Sequence, residues 1–489
     1  MAAKLRFDDA RHALPLSAGT CVEQLVRLAL GVNPRRSDAD EAGASVTGCV
    51  SKLEPVVFGI AIAAEIVTGY SCVCHQIVTC TKGAVGACWG VPELPPIKEA
   101  ELREWRLLET FGARVAELAA ERGVAASWAD PRRHLLYGQY LSLFLFGLVN
   151  PVLRTVRALS AASRLERVQR EVCGQRVSLG SFSEAQSLVD PAFLEALFGR
   201  LAGEIHGPPP KDSREAALYW LAQDSSLWRA LPRMDWAIYG GGRAGAPNRA
   251  VRLHLGFHLL EDKPVVAQVS TGRLCERKAW RQKWQRGAAY VGDRYYGEDY
   301  ALFAELEAHG CHFVVRLCEQ SAINVEEELA VDAADRAAGV RRQAWVRLGA
   351  DARARGRGGR VRVVWVETPT AGTLRLATNL DLATLSAELV ARVYRRRWQI
   401  ECFFRWVKCV LGCRHWLAES PRGVSHQLYL ALIAAVLLQQ ALGRRPNARM
   451  FELLQLHQMG VATIEELLAG LRSEADRMDA RLAARCQKS

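Results

Sequence analysis

From Ser386 to Leu411 the chain reads SAELVARVYRRRWQIECFFRWVKCVL, with no glycine or proline before Gly412. A stretch this long without a breaker extends as one helix, and Gly412 is placed to close it. At about 100° per residue, Leu389, Val393, Ile400, Phe403, Phe404, Val407 and Leu411 share one arc about 100° wide, which is the face to be buried. Tyr394, Arg397, Glu401 and Lys408 form a second stripe along its border, about 60° wide and about 21 Å long. Arg405 lies beside that stripe, while Arg395, Arg396 and Trp406 point elsewhere.

Charge makes the stripe unusual. Glu401 is a lone carboxylate among Arg392, Arg395, Arg396, Arg397, Arg405 and Lys408. A solvated helix edge with an i,i+4 Arg397–Glu401 pair, worth about 0.2–0.5 kcal/mol, is one explanation. The other makes Glu401 a metal ligand and the cations a grip for phosphates. That second reading requires more carboxylates, because one acid does not hold a divalent ion tightly.

At 489 residues there is room for two to four domains. A net charge of +12 points to a polyanionic partner, nucleic acid first and an anionic membrane surface second. The opening MAAKLRFDDARHALPL lacks the apolar core of a signal peptide. The longest apolar run, Val56 to Tyr70, is short for a bilayer and is broken by Glu65. The expected location is therefore cytoplasmic, without a membrane. The 14 cysteines are scattered, as suits free thiols in a reducing compartment. One cluster, Cys72, Cys74, His75, Cys80 and Cys88, matches no standard zinc spacing.

The fold class expected is α/β. Residues 1–95 are compositionally odd, nearly uncharged from Ala44 to Pro92, and stay unassigned. Residues 96–230 carry helical periodicity, with Ser183 a candidate N-cap for SEAQSLVDPAFLEALFGRL. Residues 231–320 change texture. DWAIYGG, AVRLHLGFHLL and PVVAQVSTG read as strands, with a turn at EDKP. A helix, the strand AAYVGD, a second helix and the strand HFVVRL follow, giving a mixed sheet with helices packed on it. Residues 321–381 are β-rich, with RRQAWVRLG, GRVRVVWVET and TLRLATNL as strands and RARGRGGR as a cationic hairpin tip. Residues 382–442 contain the long helix, and 443–489 form a helical tail.

Two acids stand out against the expected sheet. Asp293 closes the apolar run AAYVGD, at the end of a strand where α/β ligands gather, and Asp235 opens the first expected strand. Each on its own also suits a structural role. Glu261 and Asp262 belong to a turn, and Glu298 and Asp299 suit a helix first turn. Acids on a first strand, a fourth strand and a late helix match how Mg²⁺-dependent phosphoryl-transfer sites are built.

The spacing Tyr394-x2-Arg397-x3-Glu401-x6-Lys408 resembles the Y–R–E–K signature of insertion-sequence-four-type bacterial transposases. VGDRYYGEDYALFAELEAHGCHFVVRL resembles the segment carrying that family's second catalytic Asp, and the likeness covers about residues 135–470. It implies an RNase H-like core interrupted by a β-rich insertion, a helical DNA-binding region before it, and a triad of Asp235, Asp293 and Glu401 holding Mg²⁺, or Mn²⁺ in its place. It further implies cut-and-paste transposition, with Tyr394, Arg397, Lys408 and Arg405 on phosphates. Trp365, or Trp345, would receive a flipped base, unless each is simply a packed strand aromatic. Partners implied are the terminal inverted repeats, target DNA and a second copy of the chain, on the nucleoid. Trp236 is a departure, since the family commonly has glycine after the first Asp. Two other readings stand beside this one: an inactive or repurposed DNA-binding relative, and a stand-alone metal nuclease.

Overall fold

The computed structural model describes residues 94–487, with breaks at 104, 129, 131, 133, 208–211, 242–246, 350–358, 370–371 and 414, all within the compact unit Gln76–Ser489. Residues 1–93, with the Cys72–Cys88 cluster, and most of the RARGRGGR tip lie outside the described residues.

Among the described residues, helices occupy the chain from Glu99 to Ala216. Arg106–Glu121 buries Leu108, Phe111 and Val115 at helical spacing, and Tyr137–Val149 is buried on nearly every side. The single helix expected from Ser183 is instead two helices. Leu179–Leu188 is capped by Ser178, whose hydroxyl accepts from the Ser181 N–H, so Ser183 is an interior residue. Pro191–Gly203 is capped by Asp190 with Pro191 in its first turn. The Asp-Pro pair explains the break, because a residue before proline avoids the helical region and proline favours a helix start.

The first strand lies inside the segment expected to be helical. β1, Tyr219–Arg229, has Gln223, Asp224, Ser225 and Ser226 at its centre, which are weak strand formers in isolation. It is held from both sides, antiparallel to β3 (Pro247–His258) and parallel to β5 (Ala288–Gly292). The other strands are β2 (Ile238–Gly241), β4 (Lys263–Thr271), β6 (His312–Arg316), β7 (Ile323–Leu329), β8 (Val340–Leu348), β9 (Arg360–Thr368) and β10 (Gly372–Thr378). All ten form one mixed sheet in the order β2-β3-β1-β5-β6-β10-β9-β8-β7, with β4 also on β3. β5 and β6 run parallel, and β10 joins β6 antiparallel, so the strands of the expected insertion continue the same sheet.

The sequence reading missed β7. Its Glu326, Glu327 and Glu328 disguise a strand, but on this edge they face Arg347, Arg360 and Arg342 from β8 and β9. Charged side chains on an exposed edge also discourage pairing with other chains. The cysteines with described side chains, Cys173 to Cys413, are thiols rather than disulfides.

The breaker-free stretch folds as Ala387–Arg396 and Trp398–Arg405, continues through a π turn at Trp406–Val410, and ends at Gly412 with φ +72°. All seven residues of the apolar arc are buried, none more than 5% exposed. Phe403 meets Phe257 of β3, and Phe404 meets Trp228 of β1, which seats the helix on the sheet. Trp406 differs from the ideal wheel. Its ring is buried against Phe403 and against Phe451 of the helix Ala448–Gln458, which covers this second side of the helix. Ser386 caps the first segment by accepting the Leu389 N–H. Ser386→Ala should lower stability by about 1 kcal/mol, read as a reduced urea midpoint at constant slope.

Pro421–Leu442 is long and apolar enough to cross a membrane, but 89% of that window is buried inside the protein, against Pro191–Gly203 and Tyr137–Val149. It is a core helix.

Candidate active site

The parallel register of β1 and β5 aligns two acids. Ala222 is paired with Val291, and two residues further along each strand come Asp224 and Asp293. Adjacent strands lie about 4.8 Å apart, so this places the two carboxylates side by side, Asp293 just past the C-terminal end of β5 and Asp224 at the middle of the longer β1. The Trp398–Arg405 helix crosses β1 and brings Glu401 to the same place.

A groove of about 360 Å³ is lined by Asp224, Ser225, Ser226, Glu401, Phe404, Arg405, Lys408 and Cys409. The Arg397 guanidinium donates to Glu401 Oε1 at 2.6 Å and lies 3.9 Å from Asp224 Oδ2. Lys408 donates from Nζ to Ser226 Oγ at 2.7 Å and to the Leu227 carbonyl at 2.8 Å, with Trp228 beneath it. Arg405 is exposed at the mouth of the groove. Tyr394 is half-buried with Arg397 6.0 Å from its ring centre, and burial raises its hydroxyl pKa even though Arg397 and Arg316 pull it down. The Tyr-Arg-Glu-Lys stripe is therefore assembled along the border of the buried face, as the wheel predicts.

Asp224 carries the strongest electrostatic perturbation in the groove. Burial, then the Glu276 carboxylate, push its pKa up to about 7; Arg397 and the Ser225 N–H oppose this, and Asp293 adds to it. Glu276 is raised too, first by burial and also by Asp293. Burial is the larger cause at both Asp224 and Glu276, with the neighbouring carboxylates adding to it. Asp293 accepts the Tyr295 N–H at 2.9 Å, which fixes the turn after β5.

Asp235, expected as the first member of the triad, does not join them. It sits on a one-turn 3-10 helix after β1, its side chain is 76% exposed, and it pairs with Arg249 at 2.6 Å. Arg249 is level with Ala230, six residues beyond Asp224, or roughly 20 Å along the strand. The correction follows from the misread strand: with β1 taken as helix, the next acid in sequence took the place of the acid at its middle. A signal was present, since YWLAQD is an apolar run closed by Asp, just as AAYVGD is. Glu276 opens the helix after β4, and nothing in its local sequence sets it apart from other helical acids.

Trp365 does not line the groove. It is half-buried on β9 with the Arg342 guanidinium 4.7 Å from its ring centre, and Trp345 is covered in the same way by Arg360.

Among the described residues no three acid, His or Cys side chains converge closely enough to hold an ion alone. Asp224, Asp293 and Glu401 nonetheless fit a hard divalent cation. They supply only oxygen donors, Asp224 and Glu401 share one groove with Asp293 on the adjoining strand, and such ions complete their shell with water and phosphate oxygens.

A transposase DDE domain model matches residues 219–437, beginning at the first residue of β1 and including Asp224, Asp293 and Glu401. A protein described as a transposase for insertion sequence element IS5377, from Geobacillus stearothermophilus, is 30% identical over 207 residues, 42% of this chain and 52% of that one. The transposase y4zB of Sinorhizobium fredii is 25% identical over 295 residues, 60% of this chain and 78% of that one. A transposase for element IS4SA, from Synechocystis sp., is 31% identical over 70 residues, 13% of this chain and 21% of that one. The chain thus spans about half the length of the first of these relatives.

Proposed function

We propose that this protein cuts and rejoins the ends of its own mobile element, because residues 219–437 match the transposase DDE domain model and the chain is similar to insertion-sequence transposases. The observation that carries this reading is the convergence of Asp224 and Glu401 in one groove, with Asp293 on the neighbouring strand and cations along its wall. The strand order β4-β3-β1-β5-β6, with only β3 antiparallel to β1, β5 and β6 in its middle, supports an RNase H-like core. The remaining strands, β7 to β10, would be that core's β-rich insertion.

In this reading Asp224, Asp293 and Glu401 hold Mg²⁺, or Mn²⁺ as a substitute. A bound divalent ion would activate the attacking oxygen and stabilise the leaving one. The chain's own residues do the rest. Arg397 orients Glu401 through its 2.6 Å bond, and Ser226 and Leu227 hold the Lys408 ammonium at the groove wall. Lys408 and Arg405, which line the groove, and Arg397 beside Glu401 would bind phosphate oxygens of the strand being cut, with Phe404 as the apolar side of the groove. Specificity for the terminal inverted repeats would lie in contacts outside the groove, because phosphate contacts carry no base sequence. With DNA as substrate and a second copy bridging the two ends, the working place would be the nucleoid.

The test is direct. Purified protein mixed with element-end DNA and Mg²⁺ should nick the end and then yield joined product. End binding without nicking in either Mg²⁺ or Mn²⁺ would favour an inactive, repurposed relative, and cleavage without joining would favour a nuclease.

A pH dependence follows from Asp224, which keeps its proton up to about pH 7. A cation needs the carboxylate, so Mn²⁺ affinity should fall about tenfold per pH unit below 7 and level off above it. Electron paramagnetic resonance titration of free Mn²⁺ would measure this, and Asp224→Asn should remove the slope along with most of the binding.

A further inference from the structure

The geometry points to Glu276 as a positioning residue for Asp224, acting through the Ser225 hydroxyl; the inference rests on the cation-site reading above. Glu276 opens the short helix Glu276–Arg281 after β4, its side chain is 15% exposed, and it does not line the groove. Its Oε1 accepts a short hydrogen bond from Ser225 Oγ. Ser225 also donates its backbone N–H to Asp224 Oδ1 at 2.7 Å. Arg252, from β3, closes the ring by donating Nη1 to Ser225 Oγ at 3.1 Å and to Glu276 Oε1 at 3.2 Å. Side chains from β1, β3 and the helix after β4 thus lock together directly behind Asp224.

Such a brace has a physical purpose. Asp224 and Asp293 stand on adjacent parallel strands, where like charges repel and each side chain gains by turning away. Burial raises the Tyr296 hydroxyl pKa, and Glu276, Asp224 and Asp293 each add to it. Holding Ser225 in place holds the N–H that fixes Asp224, so Asp224 stays aimed at the groove before any cation arrives. Partners one step behind a metal ligand commonly contribute about 10- to 100-fold in affinity.

Mn²⁺ affinity of the full chain without DNA, read by electron paramagnetic resonance, separates the outcomes. Glu276→Ala and Ser225→Ala should each weaken binding about tenfold, and the double variant should be no weaker than either single one, because both cut the same bond. Glu276→Gln still accepts from Ser225 and should recover to within about twofold of wild type. Wild-type affinity in Glu276→Ala, additive losses in the double variant, or a Glu276→Gln as weak as Glu276→Ala would each overturn the positioning role. Thermal melts report folding, and Ser225→Ala carries the test if Glu276→Ala unfolds. Asp224→Asn in the same assay distinguishes the underlying reading: if it binds Mn²⁺ like wild type, the cation site itself is wrong, whatever Glu276 does.

Discussion

Asp224→Asn should reduce element-end cleavage by about 10³-fold or more while leaving end binding within about twofold of wild type. Removing one carboxylate of a phosphoryl-transfer centre forfeits several kcal/mol of transition-state stabilisation, and each 1.36 kcal/mol is a factor of ten. Asp293→Asn and Glu401→Gln should behave alike, since one stands beside Asp224 on the neighbouring strand and the other lines the groove with it. Asp235→Asn is the control that makes the assignment sharp. Its exposed side chain pairs with Arg249 away from the groove, so cleavage should stay near wild type. Gel-based cleavage of labelled end DNA, beside mobility-shift binding, measures both quantities. A dead Asp235→Asn with an active Asp224→Asn would reverse the roles of the two aspartates.

Arg396→Ala should destabilise the fold by about 3–5 kcal/mol, the usual cost of leaving a buried charge without its partner. The Glu215 side chain, in the short helix before β1, is fully buried, and Arg396 Nη1 meets it at 3.0 Å while Arg392 stands 3.9 Å away. Burial raises the Glu215 pKa, with Arg396 the larger of the two opposing cations. Removing Arg396 should raise it further. A carboxyl whose folded-state pKa lies above its unfolded value binds its proton more tightly when folded, so its cost is greatest at high pH and fades on acidification. The variant's deficit in urea unfolding should therefore be largest near neutrality and shrink as the pH falls towards 5. A deficit that grows on acidification would show that the pair is not what Arg396 contributes.

The 386–411 stretch could be read almost residue by residue. Its apolar arc is buried, Glu401 and Lys408 of its border stripe line the groove, and Gly412 ends it at positive φ. AAYVGD marked β5 and Asp293 in the same way. These succeed because the periodicity of a face against a core is a local property of the chain. β1 and β7 failed for the opposite reason. Polar centres such as QDSS and EEE have little strand preference alone, and they become strands through neighbours distant in sequence: β3 and β5 around one, the arginines of β8 and β9 beside the other.

Local pattern was enough for the basic character, the α/β class, the helix bearing Tyr394, Arg397, Glu401 and Lys408, and the transposase resemblance. It took the folded chain to bring Asp224 into one groove with Glu401, to set Asp235 apart, and to join Glu276 to Ser225 beside Asp224. Strand register makes the difference. Parallel pairing of Ala222 with Val291 carries Asp224 to Asp293, and a pairing between strands this far apart along the chain leaves no mark on either strand alone.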